Sequence, residues 1–402
     1  MDLPADYGSQ LLAQALRMAL VAAGLLAFFY ASRRYWSAER VAAIFRWVFL
    51  GLVYVFVAAL VLGGFMERWG FRGDNRAFGF ERMLDHSAER PYVYRVLSPA
   101  IINAGAALLP DALVSGNEGW WQRGTPLRRF RKPGESWTLE KSVKWHVAYF
   151  YLFACLIGAL LAARHLARVV CRAPPLFADF APAVAALFLP LVFHLGAYLY
   201  DFPELLLMLL CLVALAHARS GWFYLLFLAA ILNKESNVLL VVFFVAFQWD
   251  RLPWRRLLGH VAVQVAIGAM LLVSLRVLFS ENGGATAFFS FPVNLVFWLT
   301  PSSYVTFFDS HAPLVPLPRG LNVVTLFTAG MLLFWAWDEK PREVRRLVVL
   351  SALVNLPLFL LFAALDELRN LSLMFPALYL AGCGTVLRVY RSAGARGRSL
   401  SC

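Results

Sequence analysis

Long apolar runs dominate this sequence and constrain its fold more than any other feature. Runs long enough to cross a lipid bilayer as helices lie at 11–31, 41–65, 145–167, 177–199, 202–218, 258–280, 320–337, 346–365 and 371–390. A crossing helix needs about 20 mostly apolar residues. Because 61% of the residues are hydrophobic and the mean hydropathy is +0.65, a soluble enzyme, a disordered chain and a fibrous repeat are excluded.

The stretch 221–249 differs from these runs because Lys234 and Glu235 interrupt it. A charge at the centre of a bilayer costs roughly 2.5–3.5 kcal/mol, so we expect two helices that meet at a recessed turn rather than one long helix. Together with these two halves, the runs predict an all-α, polytopic membrane bundle of about 11 transmembrane helices. Residues 66–144 are predicted to form a large non-cytoplasmic loop with surface-lying helices.

The charge distribution predicts the orientation of the chain. The net charge is +13, and arginines concentrate in the short segments around 33–40, 164–172, 251–256 and 345–346 and in the tail 391–402. Cytoplasmic loops carry an excess of Lys and Arg, so these segments and the C-terminus are predicted to be cytoplasmic and the N-terminus to lie outside. Since no basic run forms a soluble module, no nucleic-acid partner is expected.

The predicted orientation brings the remaining acidic residues to the non-cytoplasmic side, where a carboxylate can accept a proton from a hydroxyl group. In the loop 66–144 we assign the role of general base first to Asp74, which follows an apolar run closely, and second to Asp85. Glu67, Glu81 and Glu89 compete for this role. The alternative for each of these acids is a solvated charge paired with a neighbouring arginine.

The most distinctive segment runs from Arg90 to Pro99 and reads RPYVYRVLSP. Arginine forms bidentate hydrogen bonds with phosphate, so Arg95 is a candidate phosphate ligand. Arg90, Tyr92 and Tyr94 are candidates for substrate binding. Anchoring at the membrane interface is the alternative explanation for this segment.

Three further segments carry charge beside apolar runs. The candidate phosphate ligands there are Lys234 and Arg369, and the candidate substrate-binding residues are Asp201, Glu204, Glu235 and Glu367. Helix capping is the alternative for the pair Asp201 and Glu204. A structural ion pair is the alternative for Lys234 and Glu235. The five cysteines and the scattered histidines show no metal-ligand spacing, so no metal site is predicted, although a divalent metal remains open.

Four segments, ERPYVYRVLSP, YDFPELLLMLL, LNKESNVLL and DELRNLSLMFP, resemble those of bacterial membrane proteins of the GT-C superfamily of glycosyltransferases. The resemblance covers about residues 41–390 and implies one transmembrane domain over 1–390, with 11–40 as an additional N-terminal helix. Two features depart from the family pattern. The acidic loop follows the second apolar run rather than the first, and it contains no paired acid motif such as DxD.

The resemblance implies a bacterial cytoplasmic-membrane enzyme that uses a polyprenyl-phosphate sugar as its co-substrate and needs no other cofactor. Its implied partners are membrane lipid, the lipid-linked donor and a glycan or glycolipid acceptor on the extracytoplasmic side. The sugar would be transferred with inversion, and Arg95, Lys234 and Arg369 would stabilise the leaving phosphate. The alternatives are a transporter or lipid flippase and a non-catalytic scaffold of envelope polysaccharide assembly.

Overall fold

The structure is a computed structural model that describes residues 37–73, 75–131, 137–193, 195–285, 287–308 and 317–399, with isolated positions between 19 and 30. Asp74 and most of the predicted N-terminal helix 11–40 therefore lie outside the described residues. The chain divides into two compact units, Met1–Val55 and Phe56–Cys402. In the first unit, the described part consists mainly of the start of a long helix. The candidate site, the cavity and the cleft described below belong to the second unit.

The described residues are mainly helical. The α-helices are α1 (Ala38–Arg68), α2 (Phe80–Leu84), α3 (Leu97–Ala107), α4 (Asp111–Ser115), α5 (Leu139–Val169), α6 (Pro175–Ala186), α7 (Leu189–Val192), α8 (Asp201–Ala216), α9 (Ser220–Asn233), α10 (Val241–Gln248), α11 (Trp254–Leu278), α12 (Phe291–Leu299), α13 (Val323–Phe334), α14 (Arg342–Phe362) and α15 (Phe375–Ser399). Short 3-10 helices include Tyr92–Tyr94, Pro126–Phe130, Glu235–Leu240, Pro301–Tyr304, Trp337–Glu339 and Leu368–Met374, and Trp120–Gly124 forms a π-helical turn. Two-residue strands, β1 (Phe307–Phe308) and β2 (Leu317–Pro318), pair antiparallel.

Within the described residues, six helical segments are long and apolar enough to cross a membrane: Ala38–Arg68, Leu139–Val169, Pro175–Val192, Trp254–Leu278, Arg342–Phe362 and Leu368–Ser392. They indicate a membrane protein. The predicted number of about 11 crossings is not confirmed. The run 202–218 forms the 16-residue helix α8 and the run 320–337 the 12-residue helix α13, while the run 11–31 lies mostly outside the described residues.

The predicted interruption of the stretch 221–249 is confirmed. Helix α9 ends at Asn233, and Lys234 takes an extended conformation with φ −159° and ψ 125°. A 3-10 helix over Glu235–Leu240 then leads into α10. The interruption places the side chains of Lys234 and Glu235 at the ends of helices, where groups from other segments can pair with them.

The largest apolar core of the described residues forms where α5, α8, α9, α10, α14 and α15 pack together. Leu166 of α5, Phe223 and Phe227 of α9 and Leu347 of α14 are fully buried there. Lipid tails are as apolar as these side chains, so close van der Waals packing in this core, rather than removal from water, holds the helices against each other. Through this packing, the start of α8, the end of α9 and the segment before α15 are held in fixed positions.

Candidate functional site

Three buried polar residues join the helix ends. The Oγ of Ser98, in α3, donates to Oδ1 of Asn233 at 2.8 Å. The Nδ2 of Asn233, at the end of α9, donates to the carbonyl oxygen of Tyr200 at 3.0 Å, directly before α8. All three residues are fully buried. Buried polar groups need hydrogen-bond partners, so these contacts fix the mutual arrangement of the three segments.

Lys234 forms a buried ion pair with Glu204. The Nζ of Lys234 lies 2.9 Å from Oε2 of Glu204, and the two side chains are 7% and 3% exposed. The Oγ of Ser372 donates to the other carboxylate oxygen of Glu204 at 2.8 Å. Removing one member of such a buried pair leaves an uncompensated charge that costs several kcal/mol, so each charge depends on its partner.

Arg95 pairs with Glu235, the next residue after Lys234. Nε and Nη2 of Arg95 donate to the two carboxylate oxygens of Glu235 at 3.1 and 3.0 Å, a bidentate arrangement. Burial of Arg95 opposes its charge, but the attraction of Glu235 and the hydrogen bonds outweigh burial and raise the pKa of Arg95 above its ordinary value. Arg95 therefore stays charged and has one fixed orientation.

Arg369 lies between two acids. Its Nε donates to Oε1 of Glu367 at 2.6 Å, and its Nη1 lies 3.6 Å from Oδ1 of Asp201. The second carboxylate oxygen of Asp201 accepts a hydrogen bond from the backbone nitrogen of Tyr198 at 2.8 Å, and Asn370 donates to the second oxygen of Glu367. Both acids are thus held in place while they orient Arg369.

A stack of tyrosines, Tyr92, Tyr198 and Tyr200, supports the two guanidinium groups; we call it the tyrosine shelf. Its ring centroids are 5.6 Å apart between Tyr92 and Tyr198 and 5.4 Å apart between Tyr198 and Tyr200. The Cζ of Arg95 lies 4.1 Å from the centroid of Tyr200, and that of Arg369 lies 4.1 Å from the centroid of Tyr198. Cation–π contacts at these distances strengthen when water is excluded.

We call Arg95, Asp201, Glu204, Lys234, Glu235, Glu367 and Arg369 the charge cluster. The Nη1 atoms of Arg95 and Arg369 are buried without a hydrogen-bond partner among the described residues, as is the hydroxyl group of Tyr200. A guanidinium group has five N–H donors, and the carboxylates engage only the Nε side of each group by hydrogen bonds. The cluster therefore combines fixed carboxylates with unused donors, an arrangement suited to an anionic oxygen.

The structure brings together most of the predicted site residues. The three candidate phosphate ligands, Arg95, Lys234 and Arg369, belong to the charge cluster together with the predicted substrate-binding residues Asp201, Glu204, Glu235 and Glu367. Tyr92 lies in the tyrosine shelf. The three candidate phosphate ligands are each paired with a carboxylate. The sequence analysis considered an ion pair between Lys234 and Glu235, whereas the structure pairs Lys234 with Glu204 and Glu235 with Arg95.

The charge cluster and the tyrosine shelf do not include the other four predicted residues. Tyr94 is 4% exposed and packs in the apolar cluster that also contains Tyr198 and Tyr200, and the described hydrogen bonds of Arg90 are with the backbone of Gly283. Asp85 is exposed at the end of α2, and Asp74 lies outside the described residues. The preferred general base is thus not placed, and the second candidate is a solvent-exposed acid.

Sequence analysis did not identify Tyr198, Asn233 and Ser372 as site residues. Tyr198 and Tyr200 precede Asp201 in the segment YLYDFPE. Two tyrosines directly before an acid that begins an apolar run could have identified them as candidates. Asn233 directly precedes Lys234, and a polar side chain at the end of an apolar run could also have identified it as a candidate. Nothing in the sequence distinguishes Ser372, whose role depends on its contact with Glu204.

An apolar cavity of about 620 Å³ lies among α5, α6, α8, α13 and α15. Its lining is almost entirely apolar and includes Leu205, the residue after Glu204, and Phe375, three residues after Ser372. Apolar cavities of this size accommodate an apolar ligand or part of one. The cavity thus shares chain segments with the charge cluster, although no residue of the cluster lines it.

Comparisons with family models, curated proteins and solved structures found no match to this chain. Among the described residues, no group of three His, Cys, Asp or Glu side chains is arranged to hold a metal ion. The features that can determine the chemistry of the site are therefore the charge cluster, the tyrosine shelf and the cavity.

Proposed function

We propose that this chain is a membrane glycosyltransferase that moves a sugar from a polyprenyl-phosphate donor to an extracytoplasmic glycan or lipid acceptor. The observation that carries the proposal is the pair of buried arginines, Arg95 and Arg369, each fixed by a carboxylate and each with an Nη1 that has no hydrogen-bond partner among the described residues. An anionic leaving group needs donors of this kind, held in place before the reaction begins.

In the proposed reaction, the bond between the anomeric carbon and the phosphate oxygen breaks while the acceptor oxygen bonds to that carbon. The leaving polyprenyl phosphate gains negative charge, which Arg95 and Arg369 stabilise through Nη1, with Lys234 as a third positive charge. The acceptor proton passes to a carboxylate, for which Asp74 remains the preferred candidate and Asp85 the second. Attack from the face opposite the phosphate gives inversion.

The tyrosine shelf and the apolar cavity support the same assignment. Aromatic rings bind the apolar faces of sugars, while the fixed acids Asp201 and Glu367 can accept hydrogen bonds from sugar hydroxyl groups. The cavity of about 620 Å³, which Leu205 helps to line, offers an apolar environment for part of a polyprenyl chain. A donor with a charged centre and an apolar tail would use all three features.

We also propose the finer topology: a cytoplasmic-membrane protein of about 11 crossings, with the N-terminus outside and the C-terminus in the cytoplasm. Its support is the distribution of arginines along the sequence. A cysteine introduced at position 120 should react with an impermeant thiol reagent in intact cells. A cysteine at position 395 should react only after permeabilisation, and the reverse pattern would place the charge cluster on the cytoplasmic side.

The test of function uses the purified full-length protein in proteoliposomes with a radiolabelled polyprenyl-phosphate sugar and a membrane glycan fraction as acceptor. We expect transfer by the wild type and a loss of about 100-fold for Arg369→Gln, the size found when one stabilising donor is removed from a transition state. Arg164→Gln is the matched control, because it removes an arginine from the buried pair with Asp179 near the end of α5.

Equal activity of Arg369→Gln and wild type would contradict the proposed role of the charge cluster. Movement of the intact labelled donor across the bilayer without transfer would favour the alternative of a lipid flippase. Binding of glycan with neither transfer nor movement would favour a scaffold.

A further inference from the structure

A second, smaller cleft lies apart from the charge cluster, and neither the phosphate ligands nor the tyrosine shelf accounts for it. It has a volume of about 70 Å³ and is lined by residues from the end of α1, the following loop, Phe130, Arg131, Trp137 and the start of α5. We call it the aromatic cleft. Its volume suits a compact group of a few atoms, such as a carboxylate or a phosphate, rather than a whole sugar ring.

The lining of the aromatic cleft is positively charged. Four cationic residues, Arg68, Arg72, Arg131 and Lys141, line it together with one acid, Glu67. Lys141 is paired with Glu81, whose side chain is 51% exposed. An excess of cationic side chains in a recess raises the local concentration of anions.

Arg131 forms no ion pair with any acid among the described residues that surround the cleft. Its side-chain hydrogen bonds reach uncharged groups: Nη1 donates to the carbonyl oxygen of Gln122 at 2.5 Å, and Nη2 donates to the carbonyl oxygen of Trp121 at 2.8 Å and to Oγ of Ser142 at 2.7 Å. Burial and the charge of Arg128 lower the pKa of Arg131. The contrast with Arg95, whose pKa a carboxylate raises, marks Arg131 as a cation without an acidic partner among the described residues.

Two N–H donors in the walls of the cleft are unused. Nε of Arg131 and Nε1 of Trp137 are buried without a hydrogen-bond partner among the described residues. The guanidinium carbon of Arg131 lies 4.2 Å from the centroid of Trp137, so the two donors belong to one stacked pair. Buried polar groups that lack partners are rare, and two adjacent donors favour an anionic oxygen as the missing partner.

Arg72 connects the cleft to the charge cluster. It lines the cleft, and its Cζ lies 4.3 Å from the ring centroid of Trp69 and 5.6 Å from that of Tyr198 in the tyrosine shelf. In the sequence, Gly73 of the cleft directly precedes Asp74, the preferred general base. Arg72 therefore contacts both the aromatic cleft and the tyrosine shelf.

We propose that the aromatic cleft binds an anionic group, a carboxylate or a phosphate, carried by the sugar acceptor. The identification of the bound molecule as a sugar acceptor depends on the proposed function. The anion site itself depends only on the residues of the aromatic cleft. An acidic sugar would place its charged group against Arg131 and Trp137 and leave a hydroxyl group free to react.

The experiment measures binding to the full-length protein in phosphatidylcholine nanodiscs by calorimetry, without a donor. Glucuronate, glucose 6-phosphate and glucose are the probes, and we expect at least one of the two anionic sugars to bind more tightly than glucose. The tighter anionic sugar identifies the group as carboxylate or phosphate. Equal binding of all three, or none, would overturn the proposal.

Trp137→Phe tests the site itself, because it removes Nε1 and keeps an aromatic ring against Arg131. We expect about tenfold weaker binding of the anionic sugar, the effect of losing one hydrogen bond to a charged group. Trp222→Phe, at an exposed tryptophan of α9, is the matched control and should bind like the wild type. Unchanged affinity in Trp137→Phe would contradict the assignment.

A second variant and a competition experiment distinguish the remaining explanations. Arg68→Gln, at the rim, should weaken binding severalfold and provides a second test if Trp137→Phe does not fold. Competition by phosphatidylglycerol in the nanodisc would show that a lipid headgroup, not an acceptor, occupies the cleft. Sugar transfer without anion binding would refute this inference alone, whereas anion binding without transfer would refute the proposed glycosyltransferase and leave the anion site.

Discussion

The charge cluster and the aromatic cleft hold their cationic side chains in opposite ways. In the cluster, Arg95, Lys234 and Arg369 are each paired with a carboxylate and are almost completely buried. In the cleft, cations outnumber acids, and Arg131 is held by neutral groups. Burial with a partner fixes a charge in one geometry, whereas an uncompensated charge near the surface attracts ligands. The fixed, paired charges of the cluster suit stabilisation of a reacting group, and the excess of cations in the cleft suits binding of an anionic ligand.

Loss of the ion pair between Glu204 and Lys234 should change the free energy of unfolding more than any other substitution considered below. Glu204→Ala leaves Lys234 buried without its partner and should lower the free energy of unfolding by about 3–5 kcal/mol. Chemical unfolding in detergent micelles measures the change. The double variant Glu204→Leu with Lys234→Met should recover most of the loss, because it removes both charges. A Glu204→Ala protein as stable as the wild type would show that the pairing contributes little.

The next effect concerns the cleft wall. Arg131→Ala removes the hydrogen bonds to Trp121 and Ser142 and should lower the free energy of unfolding by about 1–3 kcal/mol. Hydrogen–deuterium exchange should rise over the segment around Trp121 and leave α9 unchanged. Equal exchange in both regions would mean that Arg131 does not anchor the cleft.

Ionic strength should affect the aromatic cleft and the charge cluster differently. Raising ionic strength from about 0.05 to 0.5 M should weaken binding of an anionic sugar to the cleft by roughly fivefold, since partly exposed charges are screened. The stability difference between wild type and Glu204→Ala should change little, because buried pairs are screened less. If both quantities respond equally to salt, the two regions do not differ in the way described.

The smallest effect concerns Glu81, the half-exposed partner of Lys141. Glu81→Gln should change the free energy of unfolding by less than about 1 kcal/mol, as is usual for exposed ion pairs. The same substitution removes a negative charge beside the cleft and should tighten binding of an anionic sugar slightly. Calorimetry on the purified variant tests both expectations together with its unfolding curve. A marked loss of stability would show that this pair supports α2 and α5.

How far the sequence predicted this fold depends on how local the relevant forces are. The break at Lys234 was predictable because two charges within an apolar stretch cannot remain at the centre of a continuous crossing helix. The number of crossings was less predictable, because hydropathy marks apolar stretches but not where a helix ends. Helix α13 ends at Phe334, although the apolar run continues to 337.

The site was predictable in its charged members but not in their partners. Arg95, Lys234 and Arg369 stand out because charges beside apolar runs are rare. The pairing of Arg95 with Glu235 and of Lys234 with Glu204 depends on helix packing that no local pattern encodes, whereas Glu367 and Arg369 are only two residues apart. Tyrosines near a membrane are common at its interface, so the stacking of Tyr198 against Arg369 could only be found in the structure.

The near-complete burial of the charge cluster bears on how water competes with an acceptor. Glu204 is 2% exposed, Lys234 is 6% and Arg369 is 7%. Water is an alternative nucleophile for any activated sugar, and a site that excludes it leaves the anomeric carbon open only to a hydroxyl group that binding brings there. A donor bound in this cluster would then be consumed by transfer far more often than lost to hydrolysis.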